Sequence, residues 1–371
     1  MRSVLVLFLA RLASLNALEQ TRGRPLWRPW LGAGLPSADT VGRVCTRVDV
    51  DDVRRVLYRL YRDARRKKVL RAGKRRFLVL IVDGHESHAS YRRRCDGCLQ
   101  RRIATSAGER IQYYHRNVTA CLRVGGRTFM LDAEPIASGE GEVAAAMRLV
   151  ARLLKQLPQA FDVVVADGLY AQAPFFQMVR QAGKHVIAVL KDPRRDLLQD
   201  AQGLFGILTP QILRRGRTEC QVWDQEGFTS WSELPEPVRV VHSLETTWVK
   251  RQKDKTREAC HATWYWVTTL PLAEASTATI LALGHGRWAI ENEGFNELVN
   301  HWHADHVFRH HPRAIQVFWL LALLAYNLFH IFVARNLKTP RKRSVTNLHW
   351  AQLMTTDLFV GTWDAPWLLP P

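Results

Sequence analysis

A chain of 371 residues, 47% of them hydrophobic, can bury a large core as one big domain or as two to three smaller ones. Its net charge of +19 at pH 7 points to a polyanionic partner, most simply nucleic acid, and the spread of that charge along the chain argues against a membrane-surface role. Six cysteines are too few for a disulfide scaffold, which excludes the small secreted classes and implies a reducing, cytoplasmic setting.

Val4 to Leu15 is apolar behind Arg2, like a short signal peptide, but Arg11 interrupts it and no clear cleavage site follows. Helical sequence is broken by Gly, Pro and Trp between Arg22 and Pro36. New helices are predicted near Asp39 or Thr40 and near Asp51, where Asp51 and Asp52 suit a helix N-terminus. The second helix carries Val53, Leu57, Leu60 and Tyr61 on one face. Its other positions hold Arg54, Arg55, Arg59, Arg62, Arg65, Arg66, Lys67, Lys68 and Arg71, a solvated or phosphate-contacting face.

Phe77 to Asp83 is a continuous apolar run ending in an acid, the pattern of a buried central strand, with Gly84 turning the chain away. Tyr113–Arg123 and Arg127–Glu134 read as further strands, and Gly125-Gly126 between them is a hairpin signal. These strands predict an antiparallel meander. Gly141–Leu157 is predicted helical, Phe161–Asp167 is a second buried run ending in Asp-Gly, Pro174–Ala182 a helix and His185–Leu190 a strand. The fold class is therefore α/β, with parallel strands following the meander and helices flanking the sheet. Val222–Trp223, Val238–Leu244, Thr246–Lys250 and Thr263–Thr269 are short, tryptophan-rich β segments, read as an insertion apart from that layer.

At helical spacing Trp288, Phe295, Leu298 and Trp302 form one apolar stripe with Glu291 in its middle, while Glu293 and Glu297 fall on the opposite side. A carboxylate on a core-facing stripe needs a partner. Arg287, one turn earlier, is the simple one; a divalent cation shared with Asp83 and Asp167 is the other. Strand-tip acids share a crevice, and three hard oxygen ligands there would hold one or two Mg²⁺ ions for phosphoryl transfer. Gln316–Ala334 is nearly long enough to span a bilayer, but Gln316, Asn327 and His330 make it a core helix, and no membrane role is expected. Arg335, Lys338, Arg341, Lys342 and Arg343 form a basic patch after it.

The segments Val82-Asp83-Gly84-His85-Glu86, Val165-Ala166-Asp167-Gly168-Leu169-Tyr170 and Arg287-Trp288-Ala289-Ile290-Glu291-Asn292, with Phe295-Asn296 and Pro36-Ser37-Ala38-Asp39-Thr40, resemble the DDE transposases of bacterial insertion sequences, in particular the IS-4 type. The resemblance covers most of residues 35–335. It implies an RNase H-like fold with a β-rich insertion before the last catalytic helix. It implies Mg²⁺- or Mn²⁺-dependent cleavage and strand transfer on double-stranded DNA, at transposon terminal repeats and in target DNA, by a chain that dimerises on that DNA. Asp83, Asp167 and Glu291 would be the catalytic triad, and Arg287 would match the arginine of the family's Tyr-Arg-Glu-Lys signature and contact DNA. The tyrosine position holds Gly284 and the lysine position Leu298. The stretch ahead of the resemblance is short for a full end-binding domain. A nuclease without strand transfer, or a chain that only binds DNA, are the alternatives.

The expected organisation is a basic helical region at 1–72, the core at 73–195, the β-rich insertion at 196–282, the closing core helices at 283–335 and a basic tail at 336–371. Arg62, Arg65, Arg66, Lys67 and Lys68 are expected to touch DNA. Cys95-Asp96-Gly97-Cys98 has zinc-ligand spacing, with His115 and Cys121 completing a candidate structural Zn²⁺ set and His85 or His88 as substitutes. His301, His303, His306, His310 and His311 are expected to hydrogen-bond near a DNA-facing edge.

Overall fold

The computed structural model describes residues 1–70, 77–106, 108–251, 256–337 and 345–360. Arg71 and the tail residues Lys338, Arg341, Lys342 and Arg343 lie outside the described residues. The fold is mixed α/β, with parallel and antiparallel strand pairs flanked by helices, consistent with the expected RNase H-like class. It divides into two compact units. One holds Met1–Lys74, Gly84–Leu149 and Ile290–Pro371; the other holds Arg75–Asp83 and Val150–Ala289.

The first unit begins with five helices: α1 (Arg2–Leu9), α2 (Leu15–Glu19), α3 (Trp27–Leu31), α4 (Ala38–Cys45) and α5 (Val50–Arg66). Ser37 caps α4 by accepting from Thr40 N–H at 3.3 Å, and Asp49 caps α5 by accepting from Asp51 N–H at 2.9 Å. α1, the signal-like stretch, buries Val4, Leu7 and Phe8 and packs on the long helix α11 (Pro312–Asn336). α11 is long and apolar enough to cross a membrane, yet two-thirds of its most apolar window is buried in the protein. Asn327 at its centre is wholly engaged: Met130 N–H donates to its Oδ1 at 2.9 Å, and its Nδ2 donates to Met130 O at 2.7 Å. A polar side chain satisfied by a neighbouring strand marks a core helix. α12 (Asn347–Val360) follows it.

The strands of this unit are β2 (Leu99–Thr105), β3 (Gly108–Val124), β4 (Arg127–Pro135) and the second part of β1 (Val79–Ser90). β3 is the centre: β1 is its neighbour, β2 pairs with its first half and β4 with its second, both antiparallel. Gly125 and Gly126 both have positive φ, 58° and 79°, the backbone of a two-residue hairpin turn that glycine adopts without strain. β1 continues through Gly84 to Ser90 instead of turning away there. β2 is an edge strand too polar to read from its sequence: only alternate residues are shielded from solvent.

In the second unit the strand order is β1, β5 (Val163–Ala166), β6 (His185–Val189), β10 (Arg257–Thr268), β9 (Val238–Lys250), β8 (Thr218–Phe228) and β7 (Gln211–Arg215). β1, β5 and β6 are parallel, as two buried apolar runs joined by helical crossovers require. α6 (Glu142–Gln156) and α7 (Ala173–Gln181) are those crossovers, and α8 (Asp196–Ile207) leads out of β6. The tryptophan-rich segments are not a separate layer, as their sequence suggested. β10 pairs antiparallel with β6, Trp266 opposite Val189, so the meander β7 to β10 extends the same sheet. Hydrogen bonding at the free edge of β6, invisible in sequence, decides this.

Candidate active site

Asp83 and Asp167 occupy equivalent places on adjacent parallel strands. Ile81 is opposite Val165, and each acid lies two residues further along the chain, Asp83 within β1 and Asp167 just past the end of β5. Neighbouring strands lie about 4.8 Å apart, so the two acids follow adjacent paired positions of the sheet. Both are partly shielded and each meets a cation. Arg287, buried, donates from Nη1 to Asp83 Oδ2 at 3.2 Å. Lys191, two residues past β6, donates from Nζ to Asp167 Oδ1 at 2.8 Å. Burial alone would raise the Asp167 carboxyl. The Lys191 hydrogen bond, the Gly168 N–H at 2.6 Å and the charges of Arg287 and Lys191 outweigh it and hold the group below the ordinary aspartate range.

Asp167 also caps the short 3₁₀ turn Gly168–Tyr170. Glycine follows it for a steric reason: a Cβ at Gly168 would sit 3.1 Å from the Val189 carbonyl oxygen. Arg287, expected to contact DNA, is buried and pairs with Asp83. Lys191 was not anticipated. A cation just beyond one strand tip, beside an acid at the next, was the available signal.

Gly284, at the position where the resemblance led one to look for tyrosine, is fixed by packing. A Cβ there would meet the Trp266 ring at 2.8 Å. Trp264, Trp266, His285 and Trp288 form an aromatic cluster with ring centroids 5.1–5.7 Å apart. His285 Nε2 lies 2.7 Å from Glu245 Oε1.

The segment carrying Glu291 belongs to the other unit and is not a regular α-helix. Gly286–Trp288 is 3₁₀, Ile290–Phe295 is π-helical, and only Asn296–Trp302 (α10) is α-helical. A π turn adds a residue and rotates everything after it, so the stripe drawn at regular spacing is corrected here. Ile290, Gly294, Phe295, Leu298 and Trp302 are buried, whereas Glu291 is exposed. Glu293 pairs with Arg123 and accepts from Thr128 Oγ1 at 3.0 Å. Glu297, expected in solvent, is largely buried: His330 Nε2 is 3.1 Å from it and Trp302 Nε1 donates to it at 3.2 Å. The crowding explains the π turn's Gly294, where a Cβ would run into the Met130 methyl. Leu298, at the family's lysine position, is fully buried.

Of the expected DNA-contacting residues, Arg62, Arg65, Arg66, Lys67 and Lys68 are all exposed at the C-terminal end of α5. Arg54 is not one of that face: it is buried against Asp132, Glu134 and Asp51. The expected zinc set is corrected in one member. Cys95, Cys98, His115 and His310 lie together, without Cys121. Cys121 and His115 are six residues apart on the single strand β3, about 20 Å at strand rise, too far to share an ion. Nor does His85 join them; it stacks between Phe295 and Trp319, with centroids 4.6 and 5.3 Å away.

A family model described as "Transposase DDE domain" matches residues 75–328, well over half of the chain. Comparison with curated proteins gave no match. The match begins just before β1, spans both strand-tip acids, the meander β7 to β10 and the Glu291 segment, and ends within α11. Strand order, acid placement and family model agree, and the chain belongs to the DDE transposase family.

Proposed function

We propose that the chain is an IS-4-type transposase that cleaves double-stranded DNA at the terminal repeats of an insertion sequence and joins the ends to target DNA. The observation that carries this reading is that Asp83 and Asp167 each follow by two residues the paired positions Ile81 and Val165 of the parallel strands β1 and β5. Two hard carboxylates carried by neighbouring strands, each paired with a cation, fit Mg²⁺ or Mn²⁺. Glu291 is the third acid by family resemblance, and it lies at the protein surface. A bound divalent cation supplies Lewis-acid charge stabilisation to the phosphoryl group and an activated water at neutral pH. The chain's own part is positional. The strands fix the acids before substrate arrives, which limits reorganisation during reaction. Arg287 and Lys191 place positive charge beside the acids, where backbone phosphates would lie.

The basic end of α5, within the helical region 1–72, serves as a phosphate-contacting surface through Arg62, Arg65, Arg66, Lys67 and Lys68, with the basic tail 336–371 adding charge. The reaction takes place in the cytoplasm, and two copies act together on a pair of DNA ends.

The test is a Mg²⁺-dependent assay that joins a 3′-OH DNA end into a supercoiled plasmid. Asp83→Asn, Asp167→Asn and Glu291→Gln should each lower cleavage by roughly 100-fold or more while DNA binding holds, and Asp83→Asn, which leaves the buried Arg287 without its carboxylate, should also lower the melting temperature. Glu293→Gln, which loses only its contacts to Arg123 and Thr128, should retain most activity. Full cleavage by either aspartate variant would overturn the metal assignment. Cleavage without joining would reduce the chain to a nuclease, and binding without cleavage to a DNA-binding protein.

A further inference from the structure

The Cys95–Cys98 loop makes a tight knuckle. Cys98 N–H donates to Cys95 O at 3.0 Å, and Cys95 N–H points to Cys98 Sγ at 3.2 Å. The two sulfurs are 3.7 Å apart, far beyond the 2.03–2.05 Å of a disulfide. His115 Nε2, from β3, lies 3.3 Å from both sulfurs. His310 Nε2, from the segment just ahead of α11, lies 3.4 Å from Cys98 Sγ. All four donor atoms fall within 4.8 Å of one another. An ion with Zn–S bonds of about 2.3 Å and Zn–N bonds of about 2.05 Å in a tetrahedron spaces sulfurs about 3.75 Å apart and sulfur from nitrogen about 3.5 Å. The four spacings given, 3.3–3.7 Å, match edges of such a shell.

We propose that Cys95, Cys98, His115 and His310 bind one structural Zn²⁺. Two thiolates and two imidazoles match zinc in softness and geometry and suit Mg²⁺ poorly, so this centre is chemically separate from the strand-tip acids. Four protein ligands leave no open position, and Cys98 and His115 are buried, so the role is structural. His310 stands 195 residues or more beyond the other ligands in the chain, so the ion staples the loop after β1 and the strand β3 to the entry of α11. The surroundings are built for that staple. A Cβ at Gly97 would meet Pro312, the first residue of α11, at 3.0 Å, so only glycine lets the knuckle lie against the helix. His88 packs edge-on against His310 with centroids 5.5 Å apart and holds its ring in place.

The experiment uses the full chain, purified under reducing conditions without chelator, and reads metal content and the visible spectrum after exchange with Co²⁺. About one equivalent of zinc per chain is expected, with the intense d–d absorption of tetrahedral Co²⁺ and a thiolate-to-cobalt charge-transfer band. Cys121→Ser should leave both unchanged. His310→Ala should weaken metal binding by more than the roughly 10–100-fold cost of losing an outer-shell partner. His310→Cys keeps a ligand there and should strengthen the charge-transfer band, which guards against a His310→Ala chain that fails to fold. Less than about a tenth of an equivalent in both native and cobalt-exchanged protein overturns the proposal. So does loss of metal in Cys121→Ser beside full retention in His310→Ala. Neither readout depends on DNA cleavage, so the zinc proposal and the transposase reading can fail separately.

Discussion

Asp132 is completely buried on β4, and Arg54 of α5 meets its charge: Arg54 Nε donates to Asp132 Oδ1 at 3.1 Å. The same guanidinium reaches Glu134 at 3.0 Å, Asp51 at 2.8 Å and the Ala133 carbonyl at 3.1 Å, and the Tyr58 hydroxyl donates to the other Asp132 oxygen. All three nitrogens of the Arg54 guanidinium donate to these partners, so it is held inside the protein and away from a phosphate. Removing one member of a buried pair strands the other's charge. Arg54→Ala should therefore cost about 3–5 kcal/mol, read from denaturant midpoints. Arg55→Ala, one residue on and paired only at the exposed surface with Asp52, should cost less than about 1 kcal/mol. Equal losses would refute the distinction. Arg287 is the corresponding residue in the other unit, a buried arginine whose task is to hold an aspartate.

Three helices of the first unit meet at Glu297. It sits on α10, accepts from Trp302, faces His330 of α11, and lies 3.8 Å from Arg11, just past α1. Arg11, in the left-handed backbone region with φ 55°, lays its guanidinium 4.8 Å over the Trp302 ring. Burial would raise the Glu297 carboxyl, but the His330 hydrogen bond and charge, the Trp302 N–H and the Arg11 charge prevail and hold it below the ordinary glutamate range. A carboxyl depressed in the folded state adds stability that is complete above its unfolded value of about 4.3 and is lost as pH falls through the folded value. Stability of the wild-type chain should therefore drop on acidification below about pH 5, and Glu297→Gln should flatten that slope. The two should differ most near neutrality and converge in acid, as urea midpoints across pH would show. Parallel pH curves would remove Glu297 from the acid response.

Across the molecule, a net charge of +19 makes any polyanion an electrostatic partner. Each phosphate neutralised releases condensed counterions, so binding weakens with salt in proportion to the contacts made. A chain that touches six to ten phosphates should lose about 10³–10⁵ in DNA affinity between 50 and 200 mM salt. Replacing Arg62, Arg65 and Arg66 together should reduce the magnitude of the log–log salt slope by about 2–3. Fluorescence anisotropy on duplex DNA measures both. A salt-independent affinity, or an unchanged slope in the triple variant, would exclude α5 from the interface.

The sequence by itself determined the buried strands next to Asp83 and Asp167, because a continuous apolar run of this length bounded by Asp-Gly is the pattern of a central strand, although β1 runs on past Asp83 to Ser90. It determined the Gly125-Gly126 hairpin, whose positive φ values few other residues tolerate, and the core identity of α11, whose Asn327 would be stranded in lipid. Spacing on a regular period failed where the period broke. The π turn at Ile290–Phe295 packs against Met130 and accepts a hydrogen bond from Tyr326, partners 33 or more residues away, so the regular helical period did not set the phase of Glu291, Glu293 and Glu297. Strand rise alone already barred Cys121 from the His115 cluster, but only the folded chain could bring His310 in its place. Partners that are distant in sequence, Arg54 with Asp132, Lys191 with Asp167 and β10 with β6, were settled by the tertiary structure, because burial and strand pairing are properties of neighbours in space.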